Sequence, residues 1–348
     1  MQYTHHSQLA EMRLAGLISA RRHQYLPLTI YNYTVKAQFL PVVEWPEALK
    51  DCRGLILDDD GQIIARPFRK FWNLEQVSAQ LPDGEFNVWE KLDGSLGIVA
   101  GYGGEIVVAT RGSFDSDQAR WFAHWLRNSH PTFCPSGETW LFEIIYPENR
   151  IVVDYRGREE AVLLGVMSPD CFDLWGIFDG CARFRKARRF DGLSDFSTIN
   201  SDPRFAGEEG FVLQWPNGFR AKVKLDEYKR LHRLITQCST RTIWELLRTG
   251  SGIQELLDRV PAEFSKWVSD QSDRLTRDHF GTFHSAKLDY DMIAPLAAAS
   301  RKDFAMAAKD YRHPNLLFAL LDGKDITDAC WKIVEPKWAT PFKREDAE

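Results

Sequence analysis

Apolar residues change their spacing twice along this chain. Within residues 1–20, Leu9, Met12, Leu14, Leu17 and Ile18 recur at roughly helical intervals. From residue 28 the texture becomes short β-rich runs, at 28–35, 39–43 and 54–57. Asp58-Asp59-Asp60-Gly61 is a turn signal, and the return at 62–66 predicts a hairpin. Runs at 88–92, 97–102 and 105–110 predict three strands, the last two joined by the tight turn Tyr102-Gly103-Gly104-Glu105. A helix is expected near 117–127, capped by Ser116 or a neighbour. Strands at 139–146, 151–155 and 161–167 follow. A late hairpin, 211–215 with 220–224, turns at Pro216-Asn217-Gly218.

Beyond Asp226 the period lengthens to that of a helix. It runs through 228–235, 243–247, 253–257, 264–268, 288–296, 304–308 and 316–321, punctuated by Gly250, Gly252 and Pro261. No internal repeat or low-complexity segment interrupts this order. The expected architecture is α+β: an antiparallel-sheet domain over 1–227, followed by an all-α domain over 228–348.

Composition adds limits rather than a function. With 348 residues, 44% hydrophobic and 27% charged, the chain has an ordinary globular mixture and room for two domains. Its twelve tryptophans are many, but a large core can use them. Net charge is −5, so any nucleic-acid surface must be a local patch. The six cysteines are scattered without a Cys-x-x-Cys pair, which argues for reduced thiols rather than zinc or a disulfide framework. No apolar run is long enough to cross a membrane and no signal pattern opens the chain, so a cytoplasmic location is expected.

Candidate chemistry centres on Glu90-Lys91-Leu92-Asp93-Gly94-Ser95-Leu96-Gly97. An amine that attacks phosphorus must be uncharged, whereas a free lysine has a pKa near ~10.4. Burial and neighbouring cations favour the neutral form, and a glycine alongside lets a phosphate come close to the backbone. Lys-x-Asp-Gly is equally an ordinary hairpin turn with a solvated lysine. Four further clusters join it. They are Cys52-Arg53-Gly54 with Arg66-Pro67-Phe68-Arg69-Lys70-Phe71-Trp72-Asn73, then Phe142-Glu143, Glu208-Glu209-Gly210-Phe211, and Lys222-Val223-Lys224. Alone, each has a bland reading, as a satisfied polar residue in a strand or as the solvent face of one. The dense basic run 183–190, with Phe184 and Phe190 interleaved, is either a solvated loop or an RNA-backbone strip with rings available for stacking.

Taken in order, Lys-x-Asp-Gly, Phe-Glu, Glu-Gly-hydrophobic and Lys-x-Lys resemble motifs I, III, IV and V of the covalent nucleotidyltransferases. The arginine-glycine strand, the Arg-Pro-x-x-Lys-Phe-x-Asn stretch, Tyr31-Asn32-Tyr33-Thr34 and Pro147-x-Asn149-Arg150 resemble more specifically the ATP-dependent RNA ligases typified by the tRNA-repair ligase of T-even bacteriophage. The resemblance covers about residues 25–225 and implies an ATP-grasp-like ligase domain. More loosely, 317–324 and Trp331-Lys332-Ile333 resemble that family's accessory domain. Arg111 departs from the lysine expected before Gly112-Ser113.

The resemblance implies roles. Lys91 would attack the α-phosphorus of ATP, release pyrophosphate and carry AMP on a phosphoramidate bond. AMP would pass to an RNA 5′-phosphate, and a 3′-hydroxyl would displace it. Arg53, Lys70, Lys222 and Lys224 would act beside Lys91 in catalysis, surrounding the phosphates, with Arg111 in support. Glu90, Lys91, Asp93, Gly94, Arg111, Glu143, Glu209, Lys222 and Lys224 would bind the nucleotide, Glu143 at the ribose. Glu209 and Asp93 would hold Mg²⁺ or Mn²⁺. The adenine would sit beside the Trp89–Glu90 backbone. The implied partner is RNA with 5′-phosphate and 3′-hydroxyl ends, broken tRNA among the candidates. An end-healing kinase/phosphatase would work alongside, and the protein itself would be a monomer. Competing readings are a DNA ligase or capping guanylyltransferase, disfavoured by the helical tail, and a non-catalytic RNA-binding relative.

Overall fold

The computed structural model describes residues 1–193, 196, 199, 202–251, 253–259 and 262–339. The chain divides into two compact units, Met1–Lys229 and a second that begins at Arg230.

In chain order the first unit contains α1 (His6–Leu14), β1 (Ile18–Arg22), β2 (Leu28–Tyr33), α2 (Glu47–Asp51), β3 (Arg53–Asp58), β4 (Ile63–Ala65), β5 (Trp72–Asn73), β6 (Asn87–Lys91), β7 (Ser95–Tyr102), β8 (Glu105–Thr110), α3 (Asp117–Ser129), β9 (Thr139–Ile145), β10 (Glu160–Met167), α4 (Trp175–Gly180), β11 (Arg189–Phe190), β12 (Gly210–Gln214) and β13 (Arg220–Lys224). The strands form three sheets, ordered β1-β2-β3-β4, β10-β9-β7-β8 and β11-β6-β12-β13-β5. Every pairing is antiparallel except β13 with β5. The α+β class with antiparallel sheets is therefore as expected.

Period-2 side-chain alternation builds the layers. Leu28, Ile30 and Ile56 from the first sheet and Ile98, Ala100 and Leu141 from the second share one core. The other face of the second sheet buries Val99, Phe142 and Ile144 against Phe122 and Leu126 of α3. Ser116 caps that helix, its hydroxyl accepting from Ala119 N at 3.1 Å.

Several expected elements differ. The run 39–43 is not a strand: two 3₁₀ turns, Lys36–Phe39 and Val42–Glu44, flank Pro41, and Phe39 and Val43 face solvent. Proline has no N–H to give a ladder. The N-terminal helical pattern stops at Leu14; Gly16 turns at a φ of 69° and Ile18 already belongs to β1. Residues 151–155 form no strand, because the Val152 and Val153 amides donate to the Asp93 carboxylate instead of a neighbouring strand. In the basic run Phe184 is core, Phe190 packs edge-on against Phe205 and Phe211, and Arg185 and Arg188 pair with Glu160 and Glu208. Neither ring is presented for stacking.

The second unit is helical. After α5 (Asp226–Gln237), which starts in the first unit, come α6 (Thr240–Thr249), α7 (Ile253–Arg259), α8 (Ala262–Ala299), α9 (Arg301–Ala308), α10 (Pro314–Leu321) and α11 (Thr327–Ile333). The patterns at 264–268 and 288–296 belong to one 38-residue helix, α8. Ile243, Trp244, Val268, Leu275 and Trp331 form one of its cores, where Trp244 Nε1 donates to Trp331 O at 2.8 Å. No helix among the described residues is long and apolar enough to cross a membrane.

Candidate active site

Lys91 ends β6, where the register places it opposite Gly210 of β12, which in turn faces Lys224 of β13. Glu209, just before β12, thus stands between two lysines. Its Oε2 lies 2.7 Å from Lys91 Nζ and its Oε1 lies 2.9 Å from Lys224 Nζ. Lys222 and Lys224 share a face because they are two residues apart on one strand. Gly210 is required here: its φ is 149°, and a Cβ would lie 2.0 Å from Val223 O.

The second sheet supplies Glu143, paired in register with Leu96. Gly94 N donates to Glu143 Oε1 at 3.0 Å. A Cβ on Gly94 would fall 2.4 Å from Ile144 O, so only glycine lets the turn after Lys91 lie against β9. The first sheet supplies Arg53 and Tyr33. The 66–73 stretch divides: Arg66 and Arg69 turn to the buried Asp51, at 2.8 and 2.7 Å, while Lys70 turns to Tyr33, its Nζ 5.0 Å from the ring centroid.

Lys91, Lys224, Glu143, Arg53, Tyr33 and Lys70 line one cavity of about 180 Å³. Arg53, Lys70, Lys91, Arg111, Lys222 and Lys224 face it, with Glu90 and Glu143; apolar walls come from Leu92, Leu96, Val212, Trp89 and Trp175. Trp175 of α4 stacks on Trp89 at 5.7 Å. Tyr33 and Trp175 were not singled out for this wall by sequence reasoning. Trp175 lies on a short helix that carries no motif, so only its proximity to Trp89 identifies it.

The Asp93 carboxylate, expected at the metal, makes three hydrogen bonds to protein groups. Oδ2 accepts from Val152 N and Val153 N at 2.8 and 2.9 Å, and Oδ1 accepts from Tyr228 OH at 2.7 Å. No group of three or more His, Cys, Asp or Glu side chains among the described residues forms a ready metal site. Glu90 lines the cavity, and its carboxylate accepts from Arg188 N at 3.1 Å.

The electrostatics of the nucleotide-free site set the lysines apart from one another. Burial alone would lower the pKa of Lys91, but Glu209, then Glu143 and Asp93, raise it above the ordinary lysine range. Lys222 moves the other way: burial and then Lys91, Lys70, Lys224 and Arg53 push its pKa down to about 6. Burial pushes Glu143 up to about 8, against the pull of Lys91. Glu209 stays below its usual range despite burial, because Lys91 and Lys224 hold it ionised. Burial also depresses Arg53 and Lys70. In Tyr33, burial would raise the hydroxyl, but Arg111, Lys70 and Arg53 bring it below its ordinary value. The buried Nη1 of Arg53 has no hydrogen-bond partner. A desolvated donor on a cation is costly until an anion meets it.

Comparison with known proteins places this cavity in a family. A protein from Thermovibrio ammonificans whose name assigns it to the RNA ligases is 30% identical over 128 residues. That match covers 34% of this chain and 33% of the relative, so the chain spans about a third of the relative's length. Among solved structures, an archaeal ATP-dependent RNA ligase covers 70% of this chain and 64% of its own, at 16% identity and a TM-score of 0.45. A structure from Aquifex aeolicus described as an ATP-dependent DNA ligase covers 92% of this chain and 99% of its own, at 14% identity and a TM-score of 0.45. The family profile for RNA ligase matches residues 51–228, just over half of the 348, from α2 through the strands that carry Lys91, Glu143, Glu209 and Lys224 into the first turn of α5. The chain belongs to the RNA ligase family.

Proposed function

We propose that this protein seals RNA ends by covalent nucleotidyl transfer, with ATP as donor and Lys91 as the residue that carries AMP. One observation supports this most. Lys91, paired with Glu209 behind it, opens into a cavity with the partnerless buried guanidinium nitrogen of Arg53 and with Lys70, Arg111, Lys222 and Lys224. Such a wall suits a polyphosphate, whose charge would offset the desolvation of these cations.

The Lys91 amine attacks the α-phosphorus. An N–P bond forms, the bond to the β-phosphate oxygen breaks, and pyrophosphate leaves with the electron pair. Before that, Lys91 must shed a proton. Phosphate charge strengthens the hold of Lys222 on a proton, so the amine that is neutral in the free site becomes a cation beside the leaving group. Glu209, Glu143 and Asp93 fit a hard divalent cation such as Mg²⁺ or Mn²⁺. Glu209 and Asp93 offer buried carboxylates and Glu143 a half-buried one; all three are engaged by protein groups in the free site, which suits a cation held mostly through its own waters and phosphate. A cation held there would draw the Glu209 and Glu143 carboxylates away from Lys91 and lower the pKa of its amine. Leu92, Leu96, Val212 and Trp175 offer the adenine an apolar slot.

AMP then moves to an RNA 5′-phosphate, freeing Lys91, and a 3′-hydroxyl attacks that phosphorus, expelling AMP and closing the phosphodiester. Broken tRNA whose ends have been healed by a kinase/phosphatase is the substrate class we favour. The helical part beyond about residue 228 would set the choice of RNA. The test is incubation with ATP labelled at the α-phosphate and a divalent cation. A labelled, acid-labile adduct that disappears in Lys91→Ala supports the reading. Absence of any adduct with ATP, GTP, Mg²⁺ or Mn²⁺ would sink it, and labelling by GTP alone would redirect it to capping chemistry.

A further inference from the structure

Tyr228 closes a ring of contacts around the nucleophile. Its hydroxyl donates to Asp93 Oδ1 at 2.7 Å, and its ring centroid lies 4.8 Å from Lys224 Nζ. Lys224 pairs with Glu209, Glu209 pairs with Lys91, and Lys91 is two residues from Asp93 along the chain. Tyr228 is buried, in the first turn of α5. The Asp93 end of the ring is itself pinned. Val152 N and Val153 N take the other carboxylate oxygen, and Asp93 N donates to Tyr155 OH at 2.7 Å. Tyr155 packs against the apolar cluster of Leu92, Ile145 and Val162.

We propose that Tyr228 is a positioning residue for Lys91. Its hydroxyl fixes the turn that follows the nucleophile, and its ring fixes the lysine that shares Glu209 with it. This rests on the reading of Lys91 as the attacking group. A nitrogen that must meet phosphorus in line tolerates little displacement, and a shift of ~1 Å can cost ~100-fold in rate. Asp93 relays the placement of Tyr228 to the turn at Gly94. Burial and the adjacent carboxylates Glu209 and Asp93 hold the Tyr228 hydroxyl far above its usual pKa, so it remains a donor throughout the working range.

The test uses the full-length protein and single-turnover formation of the Lys91 adduct, followed across ATP concentration and pH. Tyr228→Phe keeps the ring and removes one hydroxyl. The expected result is a plateau rate lowered ~10- to 100-fold, with the half-saturating ATP concentration within about twofold and the pH midpoint unchanged. Asp93→Asn breaks the same contact from its other side. The double variant should be no slower than the slower single one, since both act through one bond. Should Tyr228→Phe fail to fold, Asp93→Asn alone must still show the loss of rate without loss of ATP binding. Wild-type protein that forms no adduct would remove both this inference and the proposed function. Wild-type adduct formation with unchanged rates in Tyr228→Phe, or with independent losses in the double variant, overturns only the role of Tyr228.

Discussion

Lys91 Nζ lies 2.7 Å from Glu209 Oε2, with the carboxylate side chain only 3% exposed. The pair holds Lys91 as an ammonium before nucleotide arrives, while Lys222 stands neutral nearby. On the proposed mechanism, nucleotide entry reverses both protonation states.

Competitive acylation read by mass spectrometry checks that inversion. In nucleotide-free protein Lys222 should label with a midpoint of about 6, so it reacts at neutral pH. Lys91 should resist until well above the ordinary lysine range. Glu209→Gln removes the strongest raising influence and should bring the Lys91 midpoint down. Labelling of Lys91 ahead of Lys222 at pH 7 would contradict the arrangement.

Glu143 should make stability fall as pH rises. Its folded-state pKa is about 8, against an unfolded value near ~4.3. Within that window the folded chain keeps a proton that the unfolded chain has lost, so unfolding becomes easier with increasing pH. Relative to wild type, Glu143→Gln should gain stability steadily from pH 5 to pH 8 and level off above. Urea unfolding at several pH values reads this out, and parallel wild-type and variant curves would exclude it.

Arg53 should trade stability for binding. Its guanidinium is buried with Nη1 unpartnered, so Arg53→Met removes a desolvated charge and keeps an apolar stem. We expect the melting temperature of the ligand-free variant to rise by a few degrees, while calorimetry shows ATP binding weakened at least ~10-fold, as for loss of a charge-assisted hydrogen bond. A variant that melts earlier and binds ATP normally would refute this.

Gly94 and Gly210 should tolerate no side chain. In Gly94→Ala the new Cβ would meet Ile144 O at 2.4 Å, and in Gly210→Ala it would meet Val223 O at 2.0 Å with φ at 149°. Both clashes are with backbone, so a destabilisation of about 1–3 kcal/mol or more is expected, alongside loss of adduct formation. Denaturant midpoints check the first claim. Gly103→Ala, on a turn with φ of 60° and open space around it, should cost less.

Local spacing carried most of the sheet architecture. Period-2 runs and turn dipeptides marked β7, β8, β9, β12 and β13, and Ser116 marked the start of α3, because these depend on neighbours a few residues away. Spacing misled at 151–155, where the Val152 and Val153 amides go to the distant Asp93, and at 39–43, where 3₁₀ turns flank Pro41. By itself the sequence determined which ionisable groups exist and, through strand periodicity, which of them share a face, as with Lys222 and Lys224. Only the tertiary structure decided their charge states and employment. Arg66 and Arg69 serve Asp51 while Lys70 serves the cavity, and Asp93 is claimed by a tyrosine 135 residues away. The reason is electrostatic: a proton's affinity depends on burial and on charges a few ångströms off, and chain folding, not sequence order, brings those charges together.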